Sequence, residues 1–263
     1  MYWSHLSLFI LFSVIVMLGL YEFYGLLVKS GNEPQRTLGM VIGGFIFAIV
    51  NFTTSHDYFL HFSIGIALLS TIFFSELYRN KEKPFLNIAY TLMGIIYVVL
   101  PFAMWANFLN GPTISVTGYE SETYNPHFLL GFFFLLWTND TGAYLVGSTM
   151  GKHKLWERIS PGKTWEGFFG GVILSLGIGY VISLFYHELH FIIWMVMALI
   201  ASVIGTLGDL VKSLFKRSIN VKDSGTILPG HGGILDRFDS FLLATPFVLA
   251  LLEAVRMVYE IVE

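Results

Sequence analysis

The chain has 263 residues, 55% of them hydrophobic and only 13% charged, with a formal net charge of -3 and a mean hydropathy of +0.68. A soluble domain carries about 25% charged residues, so half the expected charge is missing. Repeated apolar runs approach the ~20 residues that a membrane-crossing helix needs, which excludes a soluble globular class. The absence of cysteine excludes disulfide and thiolate chemistry.

Taken in order, the elements predict an all-α integral membrane protein, a polytopic bundle of about eight transmembrane helices with a range of seven to nine. The first apolar run starts almost at the N-terminus, without a basic leader or a small-residue cleavage site. It reads as a retained span over Leu6–Val28, either single or a broken pair. Leu38–Phe52, which is short, Tyr58–Phe74 and Phe85–Phe108 follow. Beyond a loop from Asn110 to Pro126 come His127–Val146, Gly167–Tyr186, Phe191–Leu207 and Phe241–Val258. Residues 1–126 and 127–263 each hold about four spans. No repeat or long polar linker divides them, so one continuous membrane domain is expected. The spacing Gly167–Gly171 fits a close helix-packing motif, and fits ordinary glycine use in membrane helices equally well.

Lys and Arg are segregated by loop. They occupy Lys29–Arg36, then Arg79, Lys81 and Lys83, then Lys152, Lys154, Arg158 and Lys163, and finally Gly208–Ser240. With eight spans all four basic segments fall on one side, which places them in the cytoplasm and both termini outside. The longest opposite loop carries Glu120 and Glu122 and no base.

Polar residues concentrate in two of these cytoplasmic segments. In the sharper one, Asp209, Ser213 and Lys216 repeat at helical spacing and share a face. Asp236 and Asp239, three apart, share a face at the start of the last span. Carboxylates clustered at a membrane boundary are expensive and are not needed for anchoring. Together with Lys216, Arg217, Lys222 and Arg237 they suit a Mg²⁺-bound polyphosphate, in which one or two carboxylates hold the metal and bases take the remaining phosphate charge. Pro229–Gly233 allows close backbone approach to phosphate, and His231 lies within it. In the second segment, Asp140 lies in the cytoplasmic half of the fifth span, and Lys163 and Thr164 follow a proline turn just before a helix start, where anions bind readily. Gly147–Lys152 is one residue short of the P-loop spacing. His187 and His190 are three apart, not the four of a zinc-protease motif.

These residues carry a family resemblance. Ser213, Phe215, Lys216 and Arg217, then Lys222, Asp223 and Gly225, then Leu228, Pro229, His231–Ile234 and Asp236–Asp239 resemble the signature of phosphatidate cytidylyltransferases, the CDP-diacylglycerol synthases. Ser160, Pro161, Lys163–Gly167 and Asp140, Ala143 and Tyr144 resemble the same family. The resemblance is strong from about Trp137 to Ser240; the N-terminal half matches only as an apolar multi-span region. It implies a helical membrane enzyme of phospholipid biosynthesis in a bacterial cell (inner) membrane, with CTP and phosphatidic acid as substrates, the bilayer as surroundings and no nucleic-acid partner. It further implies Mg²⁺, a monovalent cation such as K⁺ beside it, and a homodimer.

On this reading Asp209, Asp236 and Asp239 hold metal. Ser213, Lys216, Arg217, Lys222, Asp223 and His231 position the triphosphate or the lipid phosphate, and Asp140, Lys163, Thr164 and Arg237 contact substrate. A CTP-using relative acting on another lipid, including a CTP-dependent lipid kinase, is the nearest alternative. A transporter would place its charges near the bilayer midplane, whereas here they lie at one face.

Overall fold

Apolar runs of this length have one stable form in hydrocarbon, because a helix satisfies every backbone N–H and C=O within itself. The structure, a computed structural model, describes residues 5–52, 58–110, 126–221 and 232–262. The helices are α1 (His5–Lys29), α2 (Arg36–Phe52), α3 (Tyr58–Arg79), α4 (Pro84–Gly94), α5 (Leu100–Asn110), α6 (His127–Met150), α7 (Trp165–Phe185), α8 (Phe191–Ser218) and α9 (Leu235–Val262). Each expected span is a helix, and α1 is a single unbroken one. Among the described residues seven segments are long and apolar enough to cross a membrane, α4 and α5 counting as one. At 17 residues, α2 is the short one; it rises about 26 Å, slightly less than the hydrocarbon core of roughly 30 Å.

The expected all-α chain has one addition, an antiparallel hairpin of β1 (Lys154–Trp156) and β2 (Ser160–Thr164). A π-helical turn, Ile95–Val99, joins α4 to α5. Pro101 is its physical cause: the ring has no N–H for the carbonyl four residues back and crowds it, and the Leu100 N–H bonds Ile95 O instead.

The chain divides into two compact units. The first comprises residues 1–110 and 218–238, the second residues 111–217 and 239–263. In the first, a buried polar network ties α3 to α4 and to the loop before α2. The Glu76 carboxylate accepts from Gln35 Nε2 (2.5 Å), Asn87 Nδ2 (2.9 Å) and Arg79 Nη1 (2.7 Å). A buried carboxylate needs such compensation, because unpaired it loses its hydration for nothing in return. In the same unit the Ile234 N–H donates to Glu22 Oε2 of α1 (2.6 Å).

In the second unit α6 and α7 meet along a seam of small residues. A Cβ on Gly167 would stand 2.7 Å from the backbone oxygen of Ala143, and one on Gly171 would stand 2.6 Å from Asn139 Oδ1. The Gly167–Gly171 spacing is thus a packing seam, which lets dispersion contacts act at short range where no hydrophobic driving force separates helix from lipid.

Candidate active site

The second unit places its charges where α8 and α9 touch. On α8, Gly205 and Gly208 face α9. A Cβ on Gly208 would lie 2.8 Å from the Asp239 backbone oxygen, and one on Gly205 would lie 3.3 Å from Ser240 Cβ. Without side chains in the way the helices close up, and Asp209, one residue past Gly208, comes to Asp239. The buried Lys212 ammonium pairs with Asp239 Oδ2 and lies 3.4 Å from Asp209 Oδ1. Lys163 reaches the other oxygen of Asp209, with Nζ–Oδ2 at 2.7 Å, and also donates to Thr206 O at 3.4 Å. Asp140 on α6 lies within electrostatic reach of Lys163, Asp209 and Lys212. The cluster gathers three carboxyl groups and two ammonium groups.

Lys163 is delivered by the hairpin. The carboxylate of Glu166, in the first turn of α7, accepts from the backbone N–H groups of Lys152 (3.1 Å) and His153 (3.2 Å), and Glu166 Oε1 pairs with His153 Nδ1 (2.6 Å). The Trp165 N–H donates to His153 O (2.9 Å). These bonds anchor the residues leading into β1 to the start of α7, and Lys163 on β2 reaches α8. Thr164 is buried and is the N-cap of α7, its Oγ1 accepting from the Gly167 N–H at 3.1 Å.

Of the residues singled out by sequence, Asp140, Lys163, Asp209 and Asp239 come together in this unit. Ser213, Lys216 and Arg217 continue along α8, with Lys216 and Arg217 in its last turn, where the helix dipole favours cations. Asp236 and Arg237 lie in the first turn of α9. Asp236 Oδ2 accepts from the Gly233 N–H at 3.4 Å. Lys222, Asp223 and His231 lie outside the described residues. Among the described residues no group of three or more His, Cys, Asp or Glu side chains converges as a ready-made metal cage.

Sequence reasoning missed Lys212, the cation between the two carboxylates. Its signal was the spacing of three from Asp209, which puts it on the same helix face. It also missed Glu22, a lone carboxylate within an apolar span, which by cost alone marks a functional candidate.

Comparison with known proteins bears on this geometry. A profile described as the cytidylyltransferase family matches residues 1–255. The chain is 43% identical over 191 residues to a phosphatidate cytidylyltransferase of Staphylococcus epidermidis, covering 72% of this chain and 68% of that relative. It is 45% identical over 191 residues, with the same coverage, to a phosphatidate cytidylyltransferase of Staphylococcus aureus.

Proposed function

Since the chain belongs to the cytidylyltransferase family, we propose that it is a multi-pass bacterial membrane enzyme that makes CDP-diacylglycerol from CTP and phosphatidic acid. The observation that carries the reading at the level of residues is the Lys163–Asp209–Lys212–Asp239 cluster.

In this reaction a phosphate oxygen of phosphatidic acid attacks the α-phosphorus of CTP. The bond from that phosphorus to the bridging oxygen of the β-phosphate breaks, and pyrophosphate leaves. The nucleophile is ionised near neutral pH, so no strong general base is required. The barrier is mainly repulsion between anions, and catalysis is positioning plus charge neutralisation. Lys163, about a quarter exposed, is placed to exchange Asp209 for a phosphate oxygen. Lys212, nearly buried, keeps Asp209 and Asp239 side by side. Lys216 and Arg217 offer further cations along α8.

Asp209 and Asp239 fit a hard divalent cation. They are adjacent oxygen donors on neighbouring helices, and Mg²⁺ is commonly held by one or two carboxylates while phosphate and water complete its shell. On the family resemblance alone, Asp236 is proposed as a third ligand. Bound there, Mg²⁺ would neutralise phosphate charge as the triphosphate is cleaved. The basic loops support a site open to the cytoplasm. A monovalent cation and a homodimer are proposed on family resemblance alone.

The test is incubation of purified protein with Mg²⁺, phosphatidic acid and CTP labelled in the α- or γ-phosphate. α-Label is expected in lipid and γ-label in pyrophosphate. γ-Label in lipid would convert the reading to a kinase.

A further inference from the structure

Glu22 is a buried carboxylate on an otherwise apolar stretch of α1. It lies about 10 Å, seven residues of helical rise, from the Lys29 end of that helix. Burial of such a group is costly, so what it touches matters. Glu22 Oε2 accepts the Ile234 N–H at 2.6 Å, across 212 positions of sequence. Ile234 immediately precedes α9, and its N–H is one of those a helix start leaves unpaired. A carboxylate is the favoured partner there, because the helix dipole presents positive charge at that end.

The two glycines of this turn are required for different reasons. Gly232 has φ of +82°, a left-handed backbone that side chains rarely adopt. Gly233 is not among the residues with positive φ, yet a Cβ on it would fall inside the Glu22 carboxylate. Gly233 is therefore glycine because Glu22 occupies the space. The same turn orients Asp236: its Oδ2 accepts the Gly233 N–H, and its own N–H donates to Gly233 O at 3.2 Å.

We propose that Glu22 is a positioning residue for cytidylyl transfer, fixing the Gly232–Asp236 turn and with it Asp236. It acts through the backbone of that turn. Ile234 and Leu235 are buried, but the two glycines bring no side chain to the turn and lose the most backbone freedom on ordering, so the Glu22 carboxylate restrains the backbone where the turn itself cannot.

The inference rests on the proposed reaction, and its test separates the two. Glu22→Ala, Glu22→Gln, Gly233→Ala and the double variant Glu22→Ala/Gly233→Ala are made in the full chain. The readouts are kcat and KM for CTP, the Mg²⁺ concentration giving half-maximal rate, and the melting temperature in detergent. Glu22→Ala is expected to lower kcat roughly tenfold to hundredfold, as loss of an orienting group around a metal site does, and to raise the Mg²⁺ requirement. Glu22→Gln keeps a carbonyl acceptor for the Ile234 N–H and should retain most of the rate. Gly233→Ala should resemble Glu22→Ala, because the new methyl displaces the carboxylate. The double variant should be no worse than Glu22→Ala, because the obstacle to the methyl is gone. Wild-type kcat and Mg²⁺ dependence in Glu22→Ala would overturn the role, as would a double variant whose loss is the product of the single losses. So would a loss explained entirely by a smaller folded fraction. Wild-type protein that forms no cytidylyl lipid would instead overturn the proposed reaction.

Discussion

Lys212 on α8 forms a buried ion pair with Asp239 on α9, and the same ammonium lies 3.4 Å from Asp209. One cation thereby holds two carboxylates side by side where two helices meet at Gly208. Removing one partner of a buried pair leaves an uncompensated charge, at a cost of about 3–5 kcal/mol. Lys212→Met should therefore lower stability in detergent by roughly that amount, as well as abolishing turnover. Lys163 is more exposed and also anchors to Thr206 O; Lys163→Met should lose turnover with a much smaller change in stability. Denaturation of both variants beside activity assays checks the contrast, and equal melting curves would refute it.

The carboxylates should behave as one unit. Asp209→Asn, Asp236→Asn and Asp239→Asn are each expected to abolish most turnover, since a neutral amide loses the charge that compensates metal and incoming triphosphate; Asp239→Asn, which breaks the buried pair with Lys212, should lower stability as well. Pairs of these substitutions should lose little more than single ones. Chelation should stop the reaction and added Mg²⁺ should restore it. Lys216→Ala should instead weaken use of CTP or lipid with Mg²⁺ dependence near wild type, because an ammonium binds phosphate and not metal. Near-normal activity of Asp209→Asn and Asp239→Asn at matched expression would reduce the cluster to helix-end charges.

Thr164 separates capping from substrate contact. Its hydroxyl accepts the Gly167 N–H and its side chain is buried. Thr164→Ala should cost about 0.5–2 kcal/mol of stability, while Thr164→Ser, which keeps the cap, should stay close to wild type in both stability and KM for CTP. A raised KM in Thr164→Ser without loss of stability would show that the methyl group serves substrate.

Topology can be read chemically because the chain contains no cysteine. Glu157 lies in the hairpin turn and His187 in the turn between α7 and α8. In intact cells His187→Cys should react with an impermeant thiol reagent, and Glu157→Cys only after permeabilisation. Labelling of Glu157→Cys from outside would reverse the orientation and close the cytoplasmic route for CTP.

Along the chain, the sequence by itself determined the spans, because hydrophobicity over some twenty residues is a local property and hydrocarbon admits few alternatives to a helix. It also picked out Asp209, Asp236, Asp239, Asp140 and Lys163, since charges at a membrane boundary stand out against an apolar background. The ends of α8 and α9 were less legible: charged residues from Asp209 to Arg217 and from Asp236 to Asp239 continue the helices past the apolar limits at Leu207 and Phe241. The hairpin beneath Lys163 and the cap that Thr164 gives Gly167, three residues on, are local features, whereas the partners of Lys212 and Glu22 were decided by tertiary structure alone. Those two depend on groups distant in sequence, 27 positions for Lys212 with Asp239 and 212 for Glu22 with Ile234. No local period encodes such a meeting. It arises when small residues such as Gly208 and Gly233 let one backbone come close enough for a side chain elsewhere to reach it.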